Sequence, residues 1–145
     1  MKKIAIIDVG TNSTRLVLLS INDNGGYKVI DEIKESVRLG QDMGEECMIK
    51  PRRIAQLIMA LQMFRRLCDN NGVDEVIAIA TSAVRRARNQ RSFLDQVYAE
   101  TGFELKVLSG EQVGHYVYVG VSNTVDIDNA VIVEIGGGSM EIMHM

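Results

Sequence analysis

The sequence has 145 residues, of which 46% are hydrophobic and 24% charged, close to the average for a soluble globular domain. Its net charge of -3 argues against a broad basic surface for nucleic acids, and its single proline argues against a proline-rich chain. Because Cys47 and Cys68 match no zinc spacing and cannot build a disulfide framework, we expect them to be apolar packing residues in a reducing compartment.

The start of the chain predicts a short buried strand rather than a targeting signal. A basic pair, Lys2 and Lys3, precedes the apolar run from Ile4 to Ile7, which ends at Asp8, well short of the apolar core of a signal peptide. No stretch reaches the roughly 18 apolar residues that a membrane-spanning helix needs. We therefore expect a cytoplasmic protein with no membrane partner.

Three antiparallel strands are predicted at the front of the chain. The first is the apolar run Ile4–Ile7, the second is Leu16–Ile21 and the third is Tyr27–Val37. The polar, glycine-containing loop Asn22–Gly26 joins the second strand to the third as a hairpin. A long helix follows, because apolar residues recur at helical spacing between a proline at position 51 and a glycine at position 72.

The rest of the chain alternates strands with helices and ends in a strand–turn–strand. A strand is predicted over 76–80, and a helix follows with Asn89 as its N-cap and Gly102 at its end. The apolar side of this helix carries Phe93, Leu94, Val97 and Tyr98. The remaining predicted elements are a strand over 103–108, a helix from a Ser109 capping box to about Val121, and strands over 130–135 and 140–143. This order predicts an α/β fold with a mixed sheet, three antiparallel leading strands and crossover helices.

The first and last hairpins share a sequence pattern that suits phosphate binding. The two segments are residues 8–13 (DVGTNS) and 134–139 (EIGGGS), and each lies between two apolar strands. In both, an acidic residue is followed by a β-branched residue and a glycine, and a serine stands three positions after that glycine. Glycines let backbone N–H groups approach an anion, and the hydroxyls complete a phosphate-binding concavity. Asp8 and Glu134 can hold Mg²⁺, which bridges to phosphate oxygens. Either turn alone is more often a plain connection, but the repeat favours phosphate binding.

A cluster of arginines carries a weaker signal. Thr81 and Ser82 end a predicted strand and precede a basic stretch that includes Arg85, Arg86 and Arg91. These residues can begin a helix and guide an anion. An exposed basic helical face explains Arg86 and Arg91 equally well or better.

Five segments together resemble the exopolyphosphatase / guanosine-pentaphosphate phosphohydrolase family, which belongs to the superfamily of sugar kinases, actin and heat-shock ATPases. The segments are DVGTNSTRL, VRLG, ATSAVRRARN, LSGEQVGHYVYVGV and VIVEIGGGS, in the family's order and spacing over essentially the whole chain. The resemblance implies ribonuclease-H-like, actin-like domains with a phosphate site in the cleft between them. It divides the chain into a first domain over residues 1–125 and the opening hairpin of a second, truncated domain over 126–145.

The resemblance also implies a reaction and the residues that support it. The family hydrolyses a terminal phosphoanhydride, releasing orthophosphate from polyphosphate or guanosine pentaphosphate, while Mg²⁺ neutralises charge on the transferred group. Asp8 and Glu134 would hold the metal. The implied phosphate-binding residues are those of the two turns and two arginines, namely Gly10, Thr11, Asn12, Ser13, Arg15, Arg85, Gly136, Gly137, Gly138 and Ser139.

Two substitutions depart from the family's pattern at chemically important positions. The family's general base is a glutamate at the position of Val113, and valine cannot accept a proton. Glu111 is the only acidic residue in this stretch, and it is a weak candidate because about half a helical turn separates it from position 113. The usual aspartate before the second turn is Glu134 here, which reaches one methylene further.

Three functions stay open at this point. The first is a phosphoanhydride hydrolase whose cleft is completed by the rest of a second domain. The second is a non-catalytic module that binds polyphosphate or guanosine penta- or tetraphosphate, which Val113 favours. The third is an ATP-using relative, and the motifs outside the turns argue against it. Because a two-stranded apolar hairpin is not stable alone, we also expect it to pack on the first domain, pair in a homodimer or belong to a longer protein.

Overall fold

The computed structural model of the chain describes residues 1–126 and 128–144, so positions 127 and 145 of the predicted second-domain segment lie outside it. In these residues, no helix is long and apolar enough to cross a membrane. The elements are, in chain order, β1 (Lys2–Val9), β2 (Thr14–Ile21), β3 (Tyr27–Glu35), α1 (Pro51–Asn70), β4 (Glu75–Ala80), α2 (Ser82–Arg86), α3 (Gln90–Thr101), β5 (Lys106–Val107), α4 (Gly110–Ser122), β6 (Val131–Ile135) and β7 (Met140–His144).

The strands form two separate sheets. The larger sheet has the order β3-β2-β1-β4-β5, in which β1, β2 and β3 pair antiparallel while β4 and β5 continue parallel to β1. Parallel neighbours need crossover connections, and the helices α1 to α3 supply them. The predicted mixed sheet is therefore confirmed. The strands β6 and β7 pair with each other as a two-stranded antiparallel sheet.

The core lies between one face of the larger sheet and the helices α1 and α3. Side chains alternate between the two faces of a strand, and the inward set includes Ile7 of β1 and Leu16 of β2, neither of which is exposed. Phe64 of α1 and Phe93 of α3 fill the space opposite and are also fully buried. The other face of the sheet is left free to line a cleft.

Local sequence signals fix the ends of two helices as predicted. Pro51 stands in the first turn of α1, and Gly72 beyond its end has the left-handed φ of 63° that glycine tolerates best. At α4, the N–H of Gln112 donates to Ser109 Oγ at 3.1 Å, and the N–H of Ser109 donates to Gln112 Oε1 at 2.9 Å. The predicted capping box is therefore confirmed.

The region between β4 and α4 departs from the prediction in two ways. A separate short helix, α2, precedes α3, because Ala87 takes an extended conformation that breaks the helical run. The strand predicted over 103–108 is wrong in length, since only Lys106 and Val107 pair with β4. Phe103 and Leu105 are nevertheless buried, so their apolar character serves packing without strand pairing.

Asn89 is the N-cap residue of α3 as predicted, but its side chain makes no capping bond, and the burial predicted for Tyr98 is wrong. Instead, Asn89 Oδ1 accepts from the N–H of Ile49 at 2.9 Å and Asn89 Nδ2 donates to the carbonyl of Ile49 at 3.0 Å, which anchors the loop before α1. Tyr98 was assigned to the apolar side, but it is 59% exposed because it lies at the edge of the buried stripe.

Candidate functional site

The two turns of the repeated pattern have the same backbone hydrogen bond. Gly10 donates its N–H to the carbonyl of Ser13 at 3.0 Å, and Gly136 donates its N–H to the carbonyl of Ser139 at 2.9 Å. In both hairpins, the four turn residues stand between the last paired positions of the two strands. The repeat in the sequence is therefore also a repeat in the structure.

The two turns contact each other directly. A Cβ atom on Gly137 would lie only 2.9 Å from Asn12 Nδ2. A Cβ atom on Gly138 would lie 2.8 Å from Ser82 Oγ and 2.9 Å from Thr11 Oγ1. Ser82 Oγ also donates to the carbonyl of Gly138 at 3.0 Å. A side chain at either position would have to displace these groups, so glycine allows the close approach of the two turns.

A cleft of about 960 Å³ opens where the turns meet, on the free face of the larger sheet. Residues 10–13 and 136–139 line it, together with Asp8, Arg15 and Glu134. The structure thus brings together all of the site residues expected from the sequence except Arg85 and Glu111, which are absent from this lining. Sequence positions more than 120 residues apart meet in one place.

Asp8 is the next-to-last residue of β1 and stands opposite Arg15 on β2. Desolvation raises the pKa of its carboxyl above the ordinary value of 3.8, and the positive charge of Arg15 partly offsets this rise. The side chain still reaches solvent through the cleft. The protein around the cleft therefore displaces water without sealing the carboxylate from a ligand.

Glu134 occupies the matching position in the second hairpin, but its cross-strand partner is another acid, Glu141. A hydrogen bond with Glu141 is the main reason why the pKa of Glu134 lies above the ordinary value of 4.5. Desolvation and the charges of Glu141 and Asp8 raise this pKa further. Such a hydrogen bond needs a proton shared between the two carboxyl groups, so the pair is suited to a proton or a cation.

Sequence reasoning missed Glu141, although a signal was present. Glu141 follows Glu134 by the same interval as Arg15 follows Asp8, and the equal turn lengths place both as cross-strand partners. Glu141 Oε2 is buried and makes no hydrogen bond within the described part of the chain. A buried carboxylate oxygen without a donor is a position that a cation would stabilise.

The carboxylates fit the expected Mg²⁺, although they do not form a complete metal cage. Residues 1–126 and 128–144 contain no group of three or more His, Cys, Asp or Glu side chains that could hold a metal ion. Mg²⁺ usually keeps several waters and is bound by one or two carboxylates together with substrate phosphates. Asp8 and Glu134, which face one cleft, meet that requirement.

The helix α4 presents Val113, not Glu111, to the cleft. Val113 lines the space that contains the two turns, whereas Glu111 lines a separate groove between α4 and β7. Positions two apart on a helix point in nearly opposite directions, which explains the separation. Arg85 is also directed elsewhere, since its Nη1 donates to the carbonyl of Leu108 at 2.8 Å. Its expected role toward phosphate stays a prediction.

Comparison with known proteins identifies relatives along most of the chain. The sequence matches the Ppx/GppA phosphatase family over residues 17–145. It is 30% identical over 142 residues to exopolyphosphatase 1 of Mycobacterium tuberculosis, which covers 97% of this chain and 41% of that protein. It is 28% identical over 140 residues to a guanosine-5'-triphosphate,3'-diphosphate pyrophosphatase of Pseudoalteromonas atlantica, covering 96% of this chain and 28% of that protein.

A solved structure agrees with the architecture described above. The PPX-GPPA enzyme of Aquifex aeolicus superposes with a TM-score of 0.90 at 34% identity, over 99% of this chain and 48% of that one. This likeness confirms the fold class expected from the sequence. The chain therefore spans less than half the length of each of these three relatives.

Proposed function

The chain belongs to the Ppx/GppA phosphatase family, and from this premise we propose that it forms the phosphate-binding part of a phosphoanhydride hydrolase. The substrates would be polyphosphate, guanosine pentaphosphate or both, and the product would be orthophosphate. A second domain would complete the cleft. The observation that supports this proposal most is the meeting of two glycine turns, each preceded by a carboxylate, in one cleft.

The turns would bind the phosphates through backbone N–H groups and hydroxyls. Thr11 Oγ1 supports this role, because it is buried and has no hydrogen-bond partner among the described residues. A phosphate oxygen would satisfy that hydroxyl. Arg15 lines the same cleft and would add positive charge, although its guanidinium also lies 3.3 Å from Glu32.

Mg²⁺, held by Asp8 and Glu134, would neutralise negative charge on the transferred phosphoryl group. The chain's own residues support such a role for a cation. Glu141 and desolvation are the main causes of the raised pKa of Glu134, and the negative charge of Asp8 adds to them, so a cation near these carboxylates would be favoured.

A second candidate function follows from Val113. Hydrolysis requires a group that takes a proton from the attacking water, and the residue that faces the cleft at the family's base position is a valine. Glu111 lines another groove. This observation favours a non-catalytic module that binds polyphosphate or guanosine penta- or tetraphosphate without turning it over.

Orthophosphate release from polyphosphate and guanosine pentaphosphate in the presence of Mg²⁺ tests the proposal, measured for this chain and for the longest product of its gene. In the same assay, Val113→Glu should raise release about 100-fold or more, because a positioned general base contributes a factor of that order. Val117→Glu is the matched control, since Val117 lines the same cleft one helical turn further along α4.

The outcomes separate the two functions. Release that rises only in Val113→Glu supports a hydrolase scaffold without its base. Release by the wild type that Val113→Glu leaves unchanged would assign the base to another residue. Tight binding with no release from either protein would establish the binding module. An absence of both binding and release in every protein would overturn the proposal.

The exposed side of the β6–β7 hairpin bears on the predicted homodimer. One face of the hairpin carries five large apolar residues that are more than half exposed, namely Val131, Val133, Ile135, Met140 and Ile142. An apolar face of this kind supports association with further protein. The homodimer and the cytoplasmic location both stay predictions.

A further inference from the structure

Two successive arginines of α2 make different contacts. Arg85 is half-buried and donates from Nη1 to the carbonyl of Leu108 at 2.8 Å, which ties α2 to the residue after β5. Arg86 is exposed, and its Nη2 lies 3.2 Å from the position that a Cβ atom on Gly138 would occupy. The arginine beside the second glycine turn is therefore Arg86 and not the one that the family resemblance selects.

Polar groups from two other segments converge on the same point at Gly138. Ser82 Oγ lies 2.8 Å and Thr11 Oγ1 lies 2.9 Å from that Cβ position. The hydroxyl of Ser82 donates to the carbonyl of Gly138, but Thr11 Oγ1 is buried and has no partner within the described residues. Because Thr11 Oγ1 and Arg86 Nη2 both lie within 3.2 Å of one point, a single anion can contact both.

Among the described residues, no carboxylate forms an ion pair with Arg86 at an N–O distance up to 4.0 Å. The sequence analysis gave Arg91 and Arg86 the same interpretation, but Arg91 forms an ion pair with Asp95 at 4.0 Å. A guanidinium without a carboxylate, next to a turn of glycine N–H groups, provides both the charge and the donors that bind phosphate.

We propose that Arg86 is a phosphate-binding residue of this cleft, donating from its guanidinium to a phosphate group held at the second glycine turn, with the Thr11 hydroxyl donating to the same group. The inference rests on the proposed function, since it takes the cleft to bind a phosphoanhydride. Arg85 is then a positioning residue that fixes α2 through Leu108. The bound group is a terminal phosphate, which polyphosphate and a nucleotide polyphosphate have in common.

Calorimetric titration of the 145-residue chain with inorganic tripolyphosphate and Mg²⁺ tests the inference. Arg86→Ala should weaken binding about 10- to 100-fold, because it removes charge-assisted hydrogen bonds. Arg86→Lys should give an intermediate affinity, since lysine keeps the charge without the planar fork. Arg91→Ala is the control and should bind like the wild type. Thr11→Val should weaken binding about 5- to 10-fold, because it removes one hydroxyl donor.

Two further measurements separate a binding role from a structural one. The thermal unfolding midpoint of Arg86→Ala should equal that of the wild type, since the side chain is exposed. The wild-type affinity should fall more steeply with added salt than the affinity of Arg86→Ala, because fewer charges hold the ligand in the variant. Equal salt dependence of the two proteins would overturn the inference, whatever the unfolding midpoint.

The remaining outcomes distinguish the inference from the function on which it rests. If the wild type and Arg86→Ala bind tripolyphosphate equally well, Arg86 has no such role while the phosphate site stands. If Arg85→Ala loses binding at an unchanged unfolding midpoint and Arg86→Ala does not, the resemblance was right about Arg85 and the inference is wrong. If the wild type does not bind tripolyphosphate, both the proposed function and the inference fail.

Discussion

The two glycine turns have the same backbone geometry in very different surroundings. The first joins β1 and β2, whose inward side chains, such as Ile7 and Leu16, are not exposed at all. The second joins β6 and β7, where five large apolar side chains are between 53% and 76% exposed. The turn geometry is therefore set locally by glycine and serine, whereas its rigidity depends on what packs against each hairpin.

The charges opposite the two carboxylates differ as well. Asp8 stands across from Arg15, which lowers the pKa that desolvation raises. Glu134 stands across from Glu141, which raises the pKa of Glu134 further. The first turn thus carries its own counter-charge. In the second turn, a proton or a cation would reduce the repulsion between the two acids, so we expect it to be the part of the site more sensitive to pH and metal.

The largest expected effect tests the difference in packing. Leu16→Ala should lower the free energy of unfolding by about 3 kcal/mol, because it opens a cavity in a fully buried region. Ile142→Ala, at a side chain that is 64% exposed, should change this free energy by less than about 0.5 kcal/mol. Urea denaturation followed by circular dichroism measures both. Equal losses would show that the second hairpin is packed as firmly as the first.

A smaller effect tests the contact between the turns. Gly137→Ala should weaken tripolyphosphate binding about 10-fold, because its methyl group collides with Asn12 and separates the turns at a cost of about 1 kcal/mol or more. Gly120→Ala is the matched control, since nothing lies within 4 Å of a Cβ atom there and alanine favours the helix. Unchanged binding by Gly137→Ala would show that the two turns act independently.

The first turn and the start of α4 could be predicted from the sequence because their determinants are local. The spacing of Gly10 and Ser13 fixes a turn that closes one hydrogen bond, and Ser109 with Gln112 fixes a capping box. Helical geometry alone also separated Val113 from Glu111. Each of these features depends on residues a few positions apart, so the local sequence contains the information that specifies it.

The features that the sequence did not reveal depend on distant contacts. Phe103 is apolar because it packs in the core, yet the sequence pattern of a buried strand is the same as that of a buried loop. The choice between Arg85 and Arg86 turns on which guanidinium reaches Leu108 and which reaches Gly138. Composition and spacing contain no information about such partners.

The smallest expected effect concerns the acidic pair of the second hairpin. The pKa of Glu134 is raised above 4.5, so the folded state binds a proton more tightly than the unfolded state does. The shared proton therefore contributes to the free energy of unfolding below pH 4.5. This contribution is lost as the pH rises through the higher pKa that Glu134 has in the folded state. Glu141→Gln removes one of the two charges and should stabilise the chain at neutral pH by up to about 1 kcal/mol, the usual range for a cross-strand pair.

Urea denaturation at neutral pH and below pH 4.5 checks this difference, with Glu104→Gln as the control at an exposed glutamate outside both hairpins. The gain from Glu141→Gln should vanish in acid, where the wild-type pair holds its proton. Added Mg²⁺ should stabilise the wild type more than the variant, because the cation replaces the missing counter-charge only when both carboxylates are ionised. If Glu141→Gln raised the free energy of unfolding equally at both pH values, the two carboxyl groups would not interact. The only electrostatic difference between the two turns would then be the presence of Arg15 beside the first.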